Sequence, residues 1–208
     1  LRLANGSGAG ASGVDLCLVN GQNGRTLELR VFDAAKALDE AHATPLPIEG
    51  DAWWHLALVV ETQARTATLY LDGEPLLATS DLEIPGALSA GSYFVALGTT
   101  DPARSQLWLG RLGHAALWNV PLGAEEIAEI SLYGHALDLR NDFGGYLGAD
   151  ALAHYWRLGA DGGTVGFDDG PAALDLDDPD GNVDGNDVVG DAPDSLAPEA
   201  ATASPQPN

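Results

Sequence analysis

Hydrophobic residues return at every second position through several stretches of the chain, and a period of two predicts strands with one buried face. Leu56, Leu58 and Val60 alternate with Ala57, Val59 and Glu61; beyond a polar turn at 62–66, Thr68, Tyr70 and Asp72 alternate with Leu69 and Leu71. The two runs predict a β-hairpin. Asp72-Gly73 then supplies a second turn, because glycine takes positive φ without steric cost, and the chain folds back into Pro75-Leu76-Leu77. Residues 14–19 and 26–32 read as two strands joined by Asn20-Gly21-Gln22-Asn23-Gly24, and residues 93–98 and 106–110 as two more across the turn at 99–105. Residues 1–13, dominated by Gly, Ala and Ser, read as a loop or frayed end, and residues 34–43 as a loop that could hold a helical turn.

The period changes to helical over residues 125–133, where Ile127 and Ile130 share one face. Glu125 and Glu126 sit in the first turn, where carboxylates favour the helix dipole. Residues 152–159 read as a strand again. It either returns to complete the same domain, the preferred reading, or opens a second repeat for which little chain remains. The Pro, Ala and Ser of residues 194–208 predict a disordered tail or linker.

The run Trp54-His55-Leu56-Ala57, a strand, then Leu69-Tyr70-Leu71-Asp72-Gly73 resembles the laminin-G-like family of concanavalin A-type jelly rolls. A second block, from Leu109-Gly110-Arg111 through Leu117-Trp118-Asn119 to Glu125-Glu126-Ile127, resembles that family's closing segment in the same order. The resemblance implies an all-β, antiparallel jelly-roll β-sandwich with one short helix and a disordered acidic C-terminal tail. The sandwich is expected over residues 1–193 and the tail over 194–208. Strands that normally open such a domain would precede residue 14, so a fragment of a longer protein is expected.

Composition narrows the partners. A net charge of −22 and a single lysine, Lys36, leave no basic stripe to release counterions, which argues against nucleic acid. The same acidity fits either a saline environment or simple solubility. No run of eighteen or more apolar residues is present, so membrane insertion through a helix is not expected. The lone Cys17 has no internal disulfide partner and reads as a buried thiol.

Chemistry is sparse. A glycosidase on this scaffold needs two carboxylates facing one groove, and Asp81-Leu82-Glu83, in a predicted loop, is the nearest approach; no enzyme activity is expected. The five histidines are dispersed, without metal-pair spacing, and read as structural. Asp180, Asn182, Asp184 and Asp191 occupy positions 1, 3, 5 and 12 of a calcium-loop pattern, with Gly185 at position 6. Ala192-Pro193 follows where an exiting helix belongs, and a solvated acidic loop explains the same residues. The resemblance also implies a calcium ion at the sandwich rim of many relatives. Trp53, Tyr93, Trp108 and Tyr146 are candidate platforms for sugar rings. Trp54, Trp118 and Trp156 are assigned to the core, and strand alternation then places Trp53 outside it, making Trp53 the candidate ligand contact. The expected function is a non-catalytic recognition module that binds a glycan or an extracellular protein surface, placed outside the cell, on the cell surface or on a virion. The alternative is a structural or decoration component of a phage or virus particle or of a cell-surface layer.

Overall fold

A computed structural model describes residues 1–4, 11–21, 24–36, 38–46, 52–83, 94–98, 111–158 and 166–176. Among the described residues there are ten strands, β1 (Arg2–Ala4), β2 (Ser12–Gly21), β3 (Gly24–Asp33), β4 (Leu38–Pro45), β5 (Leu56–Glu61), β6 (Thr66–Leu71), β7 (Glu74–Thr79), β8 (Phe94–Ala96), β9 (Ala115–Trp118) and β10 (Leu152–Trp156), and one α-helix, α1 (Ala124–Tyr133). Every strand pairing with a defined register is antiparallel, and the all-β class with one short helix is as predicted. The chain divides into two compact units: residues 1–52, 58–70 and 75–112 form the first, and residues 53–57, 71–74 and 113–208 the second.

The first unit contains a five-stranded sheet in the order β4-β3-β2-β1-β8. β2 and β3 pair without a break from Ser12 opposite Asp33 to Gly21 opposite Gly24, so the period-2 pattern of both strands puts Val14, Leu29 and Val31 on a common face. Those three pack with Ala67 of β6 and Leu82, flanked by Leu58 and Val60 of β5 and Leu3 and Leu38. Each fully buried side chain of this kind contributes roughly 1.5–3 kcal/mol. Arg65, itself at φ +58, donates to the carbonyls of Asp81 and Leu82 at 3.0 Å and so holds Leu82 in place.

The structure corrects three expectations. Residues 2–4 are a paired strand, not a frayed end, because Arg2 reaches Asp15 opposite it through two hydrogen bonds of 2.8 Å and Asp15 is buried. Residues 38–45 are an edge strand, not a loop: Leu38, Glu40, His42 and Thr44 are half-buried while Asp39, Ala41, Ala43 and Pro45 are exposed. Ala34–Lys36 alone forms the helical turn, a 3-10 turn started by the Asp33 carboxylate accepting the Ala35 N–H. Cys17 is half-buried instead of buried, and it is not disulfide-bonded. Gln106 to Gly110, read as a strand, lies outside the described residues.

In the second unit β10 pairs with β9, so the strand after the helix returns beside the strand that carries Trp118. α1 begins where the Glu126 carboxylate reaches back to the Gly123 N–H at 2.8 Å, and it buries Ile127, Ile130 and Ser131. Gly134 ends it, donating its N–H to the Ile130 carbonyl. Against this helix lies the turn of the predicted hairpin. Asp72 at φ +50 and Gly73 at φ +84 make a two-residue turn, and a Cβ on Gly73 would stand 3.1 Å from the Ala128 Cα. The Asp72 carboxylate accepts the His55 N–H and the Asp72 N–H donates to the His55 carbonyl, both at 2.8 Å. These two bonds tie the Asp-Gly turn to the backbone of residue 55 at the other end of the motif.

Candidate functional site

Two polar constructions stand out in the second unit, one closed and one open. The closed one centres on Asp168, 3 % exposed. One carboxylate oxygen accepts the Tyr155 and Gly170 N–H groups at 2.8 Å; the other accepts the Leu174 N–H at 2.8 Å and meets His154 Nδ1 at 2.7 Å. Burial works to raise this carboxyl, but the bonds from the Tyr155 N–H, His154 and the Leu174 and Gly170 N–H groups outweigh it and hold Asp168 below the usual range. The His154 ring stacks on Trp156 with centroids 5.1 Å apart. Gly170 lies so close to β10 that a Cβ there would stand 2.7 Å from the His154 Cα. Every acceptor position of the carboxylate is spent on the chain itself, so this construction fastens the segment after β10 and leaves nothing for a ligand.

The open one forms where the chain leaves α1. The 3-10 turn Gly134–Ala136 and the loop after it fold back on the helix end, and Phe143 and Tyr146 bond to each other through both backbone groups at 2.9 Å. This places the Phe143 ring edge-to-face with Tyr133, centroids 5.0 Å apart at 84°. Between them lies a concavity of about 170 Å³ lined by Tyr133, Ala136, Leu137, Asp138, Asn141, Asp142 and Phe143. Phe143 is 49 % exposed.

The polar rim of the concavity is fixed by its own bonds. Asp138 accepts Arg140 Nε at 2.8 Å, Arg140 Nη2 at 2.9 Å and the Asn141 side-chain amide at 3.1 Å. The hydrogen bonds from Arg140 hold the Asp138 carboxyl below the usual carboxylate range. Arg140 also donates to Asp169 at 3.4 Å, and Asp169 accepts Arg157 Nε at 2.8 Å. One Asp142 oxygen accepts the Ala149 N–H at 3.2 Å. An aromatic face beside rigid amide and carboxylate groups is suited to one pyranose ring, whose C–H face packs on the aromatic while its hydroxyls donate to the rim.

The residues singled out in the sequence fall elsewhere. Trp53 is half-buried, its ring 3.5 Å from where a Cβ on Gly113 would stand, and it does not line the concavity. Trp53 and Trp54 precede β5, so strand alternation does not set their directions; Trp54 is likewise half-buried, not core, and its indole N–H has no hydrogen-bond partner among the described residues. Trp118 is half-buried as well, donating to the Tyr146 hydroxyl at 3.0 Å, while Trp156 is buried as expected. Tyr146 is fully buried, its hydroxyl donating to the Leu139 carbonyl at 2.8 Å, so it is no platform. Tyr93, Trp108 and the calcium-loop residues Asp180, Asn182, Asp184 and Asp191 lie outside the described residues. Among the described residues no group of three His, Cys, Asp or Glu is placed to hold a metal ion.

Two groupings were not anticipated. His114 and His135 meet edge to face at 5.5 Å, and His114 Nδ1 lies 2.9 Å from the Tyr155 hydroxyl. Phe143 was missed because it lies in a turn-rich run, Asn141-Asp142-Phe143-Gly144-Gly145, without alternation. A large aromatic in a run of turn formers was the available signal.

With the fold described, the laminin-G-type family model, described as the concanavalin A-like lectin/glucanases superfamily, matches residues 3–128. The chain belongs to that superfamily, and with it to the jelly-roll sandwich class expected from the hairpin and the Trp-Asn strand. Comparison with curated proteins gives no match. Two solved structures are similar. One is an S-layer domain-containing protein from Clostridium thermocellum, 16% identical, covering 55% of this chain and 55% of that one with a TM-score of 0.35. The other is a candidate carbohydrate-binding protein from Bacteroides ovatus, 16% identical, covering 81% of this chain and 48% of that one with a TM-score of 0.49. The chain spans about half the length of each. No helix among the described residues is long and apolar enough to cross a membrane.

Proposed function

We propose that the chain is a non-catalytic recognition module that binds carbohydrate through the concavity between α1 and the loop at 137–143. The exposed Phe143 ring braced on Tyr133 beside Asn141 and Asp142 is the observation that carries this reading. Membership of a superfamily of lectins and glucanases supports it. Asp138, held ionised by Arg140, is poorly suited to be the general acid a glycosidase needs, which supports binding over hydrolysis. Action outside the cell or on a surface rests on the likeness to laminin-G-like modules.

A glycan array run with and without calcium tests the reading. Binding to at least one glycan is expected, with Phe143→Ala weakening it by roughly tenfold through loss of ring packing. Failure of every glycan in both conditions overturns it. Calcium at Asp180, Asn182, Asp184 and Asp191 remains part of the proposal as a stabilising ion: chelation is then expected to lower the melting temperature, and an unchanged value removes that site.

A further inference from the structure

We propose that His114 is a pH-sensitive latch on one wall of this concavity: on taking a proton it commits the Tyr155 hydroxyl to the Leu137 carbonyl and draws the 137–143 loop tight. The latch is a property of the unliganded chain, and its effect on glycan binding rests on the reading of the site given above.

The wall is built from the residues that leave α1. Tyr133, Ala136, Leu137 and Asp138 line the concavity, whereas His135, in the same 3-10 turn as Ala136, meets His114 instead, with ring centroids 5.5 Å apart. Tyr155 of β10 is 1 % exposed, and its hydroxyl lies 2.9 Å from His114 Nδ1 and 3.4 Å from the Leu137 carbonyl. Burial pushes this hydroxyl up, so it keeps its proton throughout the range in which imidazoles titrate. It therefore has one proton to give and two acceptors within reach.

A second buried tyrosine holds the same loop two residues further on and has its proton committed. The Tyr146 hydroxyl accepts the Trp118 indole N–H at 3.0 Å and donates to the Leu139 carbonyl at 2.8 Å. An indole N–H only donates, so the Tyr146 proton has one destination. His114 differs because a neutral imidazole accepts at one nitrogen. While Nδ1 accepts, the Tyr155 proton goes to it and the Leu137 carbonyl keeps the longer contact. An imidazolium donates from both nitrogens. Once His114 is protonated, Nδ1–H donates to the Tyr155 oxygen, and the hydroxyl proton is left with Leu137, the arrangement Tyr146 already has. The 3.4 Å separation is then expected to close toward the 2.8 Å seen at Leu139.

The surrounding charges stay constant while this happens. Asp138 and Arg140 of the loop, Asp169 of the segment after β10 and Arg157 just beyond β10 all act on Tyr155. They are joined to one another, Arg140 to Asp138 and Asp169, and Arg157 to Asp169. Carboxylates and guanidiniums hold their charge between about pH 5.5 and about pH 7.5, so imidazole is the group that changes. His135 faces His114 from the 3-10 turn, and a charge on either ring opposes a charge on the other. On His114 the proton has the Tyr155 oxygen to receive it.

A carbonyl fastened to a buried hydroxyl orders the loop that carries Asn141 and Phe143, and a site ordered in advance loses less freedom on binding. Glycan binding is therefore expected to be roughly three- to tenfold stronger in mild acid, the equivalent of one ordinary hydrogen bond.

The test has two readouts on the whole chain. In the first, carbonyl and imidazole NMR signals are followed through the histidine range without glycan. The Leu137 carbonyl is expected to titrate with the midpoint of the His114 ring while Leu139 does not, and Tyr155→Phe is expected to leave His114 titrating and Leu137 silent. A Leu137 carbonyl that ignores His114, or that follows it undiminished in Tyr155→Phe, overturns the latch and leaves the glycan reading standing. The parent titration decides this even if the variant does not fold. In the second, the glycan array is read at about pH 5.5 and about pH 7.5. A stronger signal in acid, lost in His114→Phe, supports the latch; a parent signal that does not change with pH overturns its hold on the site. A Leu137 carbonyl that follows His114 in a chain that binds no glycan at either pH supports the latch and overturns the glycan reading.

Discussion

Replacing Asp168 by Asn tests the account of how the second unit is held together. The two side chains have the same shape, so packing is preserved and only the polar atoms change. Each carboxylate oxygen serves two donors, Tyr155 and Gly170 on one and Leu174 and His154 on the other. An amide keeps one acceptor oxygen, so either orientation satisfies one pair and points an N–H₂ group at the other. With the N–H₂ group turned toward Leu174 and His154, whose ring can take the tautomer that accepts at Nδ1, the buried Leu174 N–H is left unsatisfied at about 1–3 kcal/mol. That is a measurable fraction of a typical stability of about 5–15 kcal/mol. Urea unfolding followed by tryptophan fluorescence reads the loss as a lower midpoint at unchanged slope. The acid limb adds a second check. Asp168 is held below its ordinary value, so its contribution is complete above the unfolded pKa of about 3.9 and is lost as pH falls through the lower native value. The Asn variant should therefore lose less stability than the parent between pH 4 and the acid transition. A destabilisation under about 1 kcal/mol, below the cost of one unsatisfied donor, would refute the reasoning.

His55 gives a prediction in a different pH range. Burial holds its imidazole below the ordinary value, against a smaller opposing pull from Asp72, so the unfolded chain binds more protons through the mildly acidic range. Stability should rise with pH, with the contribution complete above about pH 6.5 and lost as pH falls toward the lowered native value. His55→Gln, which keeps the backbone bonds to Asp72, should flatten that slope in melting curves; an unchanged slope refutes it. Gly73→Ala forces a side chain onto φ +84 and against Ala128, and is expected to cost about 1–3 kcal/mol in thermal unfolding, whereas a neutral effect would mean the turn is not held against α1.

The parts of the fold legible in the sequence are those where local chemistry and tertiary packing agree. The hairpin around His55 and Asp72-Gly73 carries its own turn, and α1, predicted over 125–133, begins one residue earlier because Glu126 caps Gly123. β4 was hidden because Ala34 to Ala43 favours helix, while pairing with β3 from Thr26 to Asp33 overrides that preference. β1 was hidden because its strongest anchor, Arg2 to Asp15, joins residues a loop apart. The concavity was illegible for a similar reason. Tyr133 and Phe143 meet only because Gly134 turns the chain at the end of α1, and no periodicity announces that contact. The buried Asp168 stood within Asp168-Asp169-Gly170, which reads as a solvated turn until β10 is seen to supply its donors.

The carboxylate of Asp168 also decides where this module can be cut. The family match ends at residue 128, inside α1, and a protein trimmed there would lose the last turn of the helix and the whole of β10, the partner of β9. Stopping after β10 would be little better, since His154 and the Tyr155 N–H would face an empty place in the interior. The autonomous piece must run at least through Leu174, whose N–H is the last in sequence to reach that carboxylate. A recombinant boundary, or a graft of this unit into another protein, therefore belongs beyond that residue, well past the point where family likeness fades.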